Sequence, residues 1–263
     1  MTDWPPPQDG KPLLTRDDYP ETFDSNAYLS AFYSKSDNEP AMKLVLSQLP
    51  TVVERVCRDL RPGCGRLLDV GSGPTIHVAC AFRHKMNEIY LSDYLAQNRD
   101  ELSLWVRGEG RFDWTNITSF LAIMEGQADE KYRMENVARS KVASVLPCDI
   151  FQDHVIPQTI RPDFDVVTTF FCIEYATVDS NEYHTAIRNV VGLLKPGGYL
   201  VMGGVMNSTW CSFGAVRYTC FTLTEQEMFS ALREAGIDID DAETLRYYNH
   251  DDMFVVVGKK KLD

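Results

Sequence analysis

Residues 66–75, RLLDVGSGPT, form an apolar run closing on Asp69, a turn carrying Gly71 and Gly73, and Thr75, where a helix can begin. Glycine lets backbone approach a ligand closely, and the N–H groups that open a helix favour polar or anionic groups. The stretch is therefore either a cofactor cradle or an ordinary strand-to-helix turn of a doubly wound domain. Asp93 closes a second apolar run, EIYLSDY. A carboxylate there can accept hydrogen bonds from ribose hydroxyls, or it can cap the next helix. Glu174 follows the apolar run PDFDVVTTFFCIEYA, and ligands of open α/β sheets sit at the carboxyl ends of strands. A carboxylate at that place can anchor an amine and help a protonated amine lose its proton, or it can be a solvated or salt-bridged loop residue. Asp251 and Asp252 are candidate second acids before the last strand, where a DD pair also reads as a solvated turn. A dinucleotide fingerprint requires a third glycine three residues after Gly73, and this chain has Ile76.

The elements that must position these groups alternate between strand and helix patterns. Residues 1–20 hold five of the thirteen prolines and read as a flexible leader. In FDSNAYLSAFYS the side chains Tyr28, Leu29, Phe32 and Tyr33 share one helical face, and core packing accounts for them on spacing alone. Pro40 opens a second helix in which Pro50 predicts a kink or break, and RPGCG at 61–65 is the turn into the first strand. After the helix TIHVACAFRHK and the second strand, residues 107–141 carry two amphipathic helical patterns, and VASVLPCDI reads as a third strand ending at Asp149. The helix EYHTAIRNVVGLL ends at KPGG (195–198), YLVMGGVM is a fifth strand and NSTWCSFGAVRYTCFTL a hairpin. Thr224 and Glu227 predict a capping box on a helix closing at Gly236, and DMFVVVGKK is the last strand.

At 263 residues and 44% hydrophobic, the chain can bury a sizeable core. Its formal charge of −12 disfavours nucleic acid and suits a small, cationic partner. Seven cysteines without a CxxC pair read as reduced thiols, and the five histidines form no metal motif, His184 and His250 being ordinary surface residues. There is neither a basic-then-apolar N-terminal segment nor an apolar run of transmembrane length, so the expected setting is cytoplasmic, with no membrane partner.

DVGSGPT, SDYLAQN, PCDI, FCIEYA and LLKPGG, in that order, resemble the class I S-adenosylmethionine-dependent methyltransferases. Within these, Pro74 and Thr75 of the glycine turn resemble the small-molecule amine methyltransferases, which comprise nicotinamide, phenylethanolamine, indolethylamine and thioether enzymes. The resemblance covers residues 23–260. It implies a Rossmann-like α/β fold with a seven-stranded mixed sheet ending in an antiparallel pair. One methyltransferase domain, 21–263, would include an N-terminal helical cap at 21–63 acting as a lid. S-adenosylmethionine would be held by Tyr28, Tyr33, Gly71, Ser72, Gly73, Thr75, His77, Asp93, Tyr94, Asn98, Asp149, Ile150, Phe170 and Ala176. Asp93 would take the ribose, Asp149 the adenine amino group, and Ile150 would cover the ring. The substrate would meet Tyr28, Phe32, Glu174, Ser208, Trp210, Cys211, Asp251 and Asp252, with Glu174 as the catalytic group facing its amine.

Two departures bear on that reading. The nicotinamide enzyme carries an aspartate where this chain has Gly204, and the family often has a tyrosine where this chain has His77. The resemblance thus implies a monomeric N-methyltransferase of a small amine, phenylethanolamine- or arylalkylamine-like, working by in-line displacement without a metal. A pyridine or thioether acceptor and a catalytically silent cofactor-binding protein are the alternatives.

Overall fold

The computed structural model describes residues 9–34, 40–58, 60 and 64–262. It begins with β1 (Leu13–Leu14), a 3-10 turn (Arg16–Asp18), α1 (Tyr19–Thr22), α2 (Ser25–Phe32) and α3 (Pro40–Val56). Asp24 caps α2, accepting from the N–H groups of Asn26 and Ala27. The expected flexible leader needs correction over residues 9–20. Leu13 and Leu14 pair in parallel with the later strand segment Arg217–Tyr218, and Arg16 is bound to Glu182. The partners that order this proline-rich stretch lie some two hundred positions away, so its composition carries no sign of them. Residues 1–8 of the leader and 61–63 of the predicted turn lie outside the described residues.

Pro50 does not break α3. Met42, Val45, Leu46 and Leu49 before it and Val52, Val53 and Val56 after it are all buried in one core, and packing on both sides outweighs the missing backbone donor.

The sheet domain then follows as β2 (Gly65–Val70), α4 (His77–Phe82), β3 (Met86–Asp93), α5 (Ala96–Val106), α6 (Thr115–Met124), α7 (Lys131–Arg139) and β4 (Val142–Pro147). Its second half runs β5 (Phe164–Phe170), α8 (Ile173–Ala176), α9 (Ser180–Gly192), β6 (Leu194–Val205), β7 (Trp210–Phe213), β8 (Val216–Thr219), α10 (Glu225–Glu234), β9 (Ile237–Asp238), β10 (Arg246–His250) and β11 (Met253–Lys260). The main sheet has the order β10-β11-β6-β5-β2-β3-β4, which is the expected seven-stranded path; β9 adds a two-residue pairing to β11. β4, β3, β2, β5 and β6 are parallel, and β11 runs antiparallel between β6 and β10.

All seven residues of β5 are buried, as a central parallel strand covered on both faces requires. One core packs α3, α4, α6 and α7 on one face, and a second packs α9 and α10 on the other. The predicted hairpin is β7–β8, extended by β1 into a separate three-stranded sheet. Thr224 caps α10 through the N–H of Glu227, but the Glu227 carboxylate reaches Ser180 and His184 instead of closing the box. His184 is correspondingly half-buried between Glu227 and Glu234 rather than free at the surface.

Candidate active site

β2 leads to β3 on one side of the sheet and β5 leads to β6 on the other, so the chain direction switches between the adjacent β2 and β5. Their carboxyl ends open there into a cavity of about 710 Å³. At the floor, Gly71 (φ +67°) and Gly73 (φ +60°) take left-handed dihedrals. A side chain at 71 would also collide with the thiol of Cys172, so glycine is required twice over. The turn is cross-braced: Ser72 Oγ and Ser92 Oγ both donate to the carbonyl of Asp69 (3.0 and 2.8 Å), and Thr75 Oγ1 donates to Ser72 O (2.7 Å).

Asp93 holds the next corner. Its Oδ2 accepts from Gly73 N (2.8 Å), and its Oδ1 accepts from Leu95 N (2.8 Å) and Asn98 Nδ2 (3.2 Å). It ties down the turn into α5 and stands on the cavity wall with one acceptor site left on Oδ2, so capping does not exclude accepting from a hydroxyl. Burial raises its pKa against the pull of these donors. Asn98 also lines the cavity, but its oxygen accepts from Ser25 Oγ (2.7 Å), which bolts α2 to the sheet domain.

Tyr28, Phe32 and Tyr33 from the end of α2 reach the same cavity. The Tyr33 ring lies 5.7 Å from His77, and His77 lies 5.6 Å from Phe170. His77 is 2% exposed, and neither of its ring nitrogens has a hydrogen-bond partner among the described residues. Burial lowers its pKa to about 3, so the imidazole is neutral and offers one donor and one acceptor to a bound molecule. At the far corner Asp149 accepts from Phe151 N (3.0 Å) and Gln152 Nε2 (3.3 Å), beside Ile150 and Ala176, while Tyr94 edges the opening and is largely exposed.

The other end is aromatic. Phe23 lies 5.4 Å from Tyr28 and 5.1 Å from Phe213, and Tyr28 lies 5.1 Å from Phe32. Tyr19, Tyr175, Val205, Ser208, Trp210, Cys211 and Met253 complete this end.

Three expected site residues are not brought to the wall. Glu174 is 2% exposed and lies behind it, its Oε1 accepting from Val205 N (3.0 Å). The carboxylate fills the space a side chain at Gly204 would take, with Oε1 2.5 Å from an ideal Cβ there. Burial lifts Glu174 to about 7, and its charge in turn adds to the burial that raises the Cys211 thiol to about 12. Asp251 and Asp252 instead form the tight β10–β11 turn, both with positive φ; Asp252 accepts from Asn207 Nδ2 (2.9 Å) and Asp251 is exposed. They are turn residues, as the bland reading of a DD pair has it.

Sequence reasoning also missed members of the site. Asp69 lines the cavity, accepts from Thr168 Oγ1 (2.6 Å) and is raised to about 7 by burial, with Asp93 adding to the effect. Its place at a strand end before the glycine turn was an available signal. Phe171 takes a left-handed φ of +50°, rare for a bulky residue, and so turns the chain from β5 into α8 at the cavity. Tyr19, Phe23 and Phe213 meet only in the folded chain.

The cavity fits S-adenosylmethionine. Glycines allow close approach, Asp93 and Asp149 offer acceptors for ribose and adenine, and the orphaned His77 imidazole is a buried polar group that a ligand can satisfy. A family model described as the NNMT/PNMT/TEMT family matches residues 11–261. The chain is 31% identical over 252 residues to a nicotinamide N-methyltransferase of Caenorhabditis elegans, covering 92% of this chain and 91% of that one. It is 31% identical over 229 residues to an indolethylamine N-methyltransferase of Oryctolagus cuniculus, covering 85% and 86%. Among solved structures, the magnesium protoporphyrin IX methyltransferase of Synechocystis with bound SAM superposes with a TM-score of 0.55 at 13% identity, over 94% of this chain and 95% of that one, a likeness of fold. With the glycine turn, the two acidic corners and the family match in agreement, the chain belongs to the NNMT/PNMT/TEMT family and is an S-adenosylmethionine-dependent N-methyltransferase.

Proposed function

We propose that the methyl acceptor is a small arylalkyl amine, seated in the aromatic end of the cavity and methylated as the neutral nitrogen by a chain acting as a monomer in the cytoplasm. The observation that carries this reading is Glu174, a buried carboxylate kept directly behind that end, with Cys211 and Tyr175 close enough to feel its charge. A negative charge there attracts a cationic amine, and the rings of Tyr28, Phe32 and Phe213 suit both an aryl group and a cation. In this reading the carboxylate leaves the Val205 N–H when the amine enters and takes its proton; a group near pKa 7 is matched to that task at neutral pH.

When bound, the cofactor supplies an electrophilic sulfonium methyl group. The chain's own work is placement. The glycine turn and Asp93 fix one reactant, the aromatic end fixes the other, and such orientation can remove roughly 7–11 kcal/mol from a barrier at its upper limit. The seven cysteines are unpaired, which supports a reducing compartment.

The test is S-adenosylhomocysteine formation with phenylethanolamine, tryptamine, nicotinamide, quinoline and a thioether. Turnover of the primary amines is the expected result. A second reading, a pyridine-type acceptor that needs no deprotonation, draws on the position of the Glu174 carboxylate off the wall and on the nicotinamide N-methyltransferase among the relatives. Turnover confined to nicotinamide and quinoline would select it.

A further inference from the structure

Residues 9–24 include no buried side chain, yet Arg16, Asp17, Tyr19 and Pro20 form part of the cavity wall. Polar contacts fasten its first half at two places, and beyond them the rings of Tyr19 and Phe23 pack on Tyr218 and Phe213. At one end Arg217 binds Asp9 (2.5 Å) and donates its backbone N–H to Pro12 O (3.0 Å). At the other, Arg16 forks onto Glu182, Nη1 to Oε2 at 2.5 Å and Nη2 to Oε1 at 3.0 Å, and Nη1 also donates to Ala176 O at 2.5 Å. The guanidinium carbon lies 4.9 Å from the centre of the Phe151 ring. Ala176 and Phe151 themselves line the cavity beside Asp149 and Ile150, so Arg16 joins the strap to the wall at that corner.

We propose that Arg16 is a cofactor-retaining residue: its bidentate pair with Glu182 and its stacking on Phe151 latch the strap across the cofactor end of the cavity, and release of the cofactor product requires that latch to open. A segment that has no fully buried side chain and is fastened through surface polar contacts opens at lower cost than the core. Arg16 is suited to the task because a planar fork meets a carboxylate and an aromatic face at once, which lysine does not do. The inference rests on cofactor binding and is independent of which acceptor is methylated.

The test is the stopped-flow release rate of S-adenosylhomocysteine from the full chain. Arg16→Ala is expected to speed release by about tenfold or more while association changes much less, since lost closing contacts act on dissociation. Arg16→Lys should fall between, and Arg16→Ala combined with Glu182→Ala should release no faster than the faster single variant, because the two side chains form one latch. A change under about threefold in Arg16→Ala, the size an ordinary surface ion pair would give, overturns the proposal. A second measurement needs no variant: saturating S-adenosylhomocysteine should slow tryptic cleavage after Arg16 in the wild-type chain, and an unchanged cleavage rate also overturns the proposal.

Discussion

Glu174 and Gly204 explain each other. Gly204 lies within β6 with no left-handed dihedral to require glycine, but any side chain there would strike the Glu174 carboxylate. A buried carboxylate that accepts from Val205 N is costly to keep ionised, and its pKa of about 7 against an ordinary 4.5 records that cost. The sign follows directly. Because the folded-state value is raised, the protonated form's advantage is full below about pH 4.5 and is lost as pH climbs through 7. Over that window the group removes on the order of 3 kcal/mol of stability. Glu174→Gln, which carries no charge, should therefore melt higher than wild type at pH 8 and close to it at pH 4.5, by calorimetry at the two values. Equal differences at both would mean that the carboxylate does not titrate as its burial dictates. Its position after the apolar strand is legible in the sequence; its seat behind the wall is not, because that depends on a glycine thirty positions away.

The glycine turn, the strap and the α2 aromatics position the site, and they were legible to different degrees. The turn was readable from RLLDVGSGPT because glycine spacing at a strand end has a local physical meaning. Gly71→Ala tests that element. It would meet both an unfavourable φ of +67° and the Cys172 thiol, and should cost at least about 1–3 kcal/mol with severe loss of S-adenosylhomocysteine binding, measured by thermal melting and titration calorimetry. Stability and affinity near wild type would show that the turn relaxes easily. The α2 tyrosines look like core residues by spacing, and Tyr33 is indeed buried in the core while also facing the cavity. Composition alone reads residues 9–20 of the strap as a loose leader, since the anchors, Arg217 and Glu182, are distant in the chain.

At the scale of the whole molecule, strand and helix alternation points to a doubly wound sheet, the family resemblance carried by five short motifs implies its antiparallel end, and the strand order agrees. The aromatic end is less readable, because it is assembled from Tyr19, Phe23, α2, the β7–β8 hairpin and Met253, segments whose juxtaposition no local pattern encodes. Methylation of an amine therefore turns on whether the aromatic end and the carboxylate behind it act together. The deciding measurement is S-adenosylhomocysteine formation by wild type and Glu174→Gln with a primary arylalkyl amine such as tryptamine at neutral pH. Turnover by wild type is expected, with a fall of about a hundredfold in the variant, the scale of a lost general base. Turnover by the variant equal to that of wild type would contradict that role.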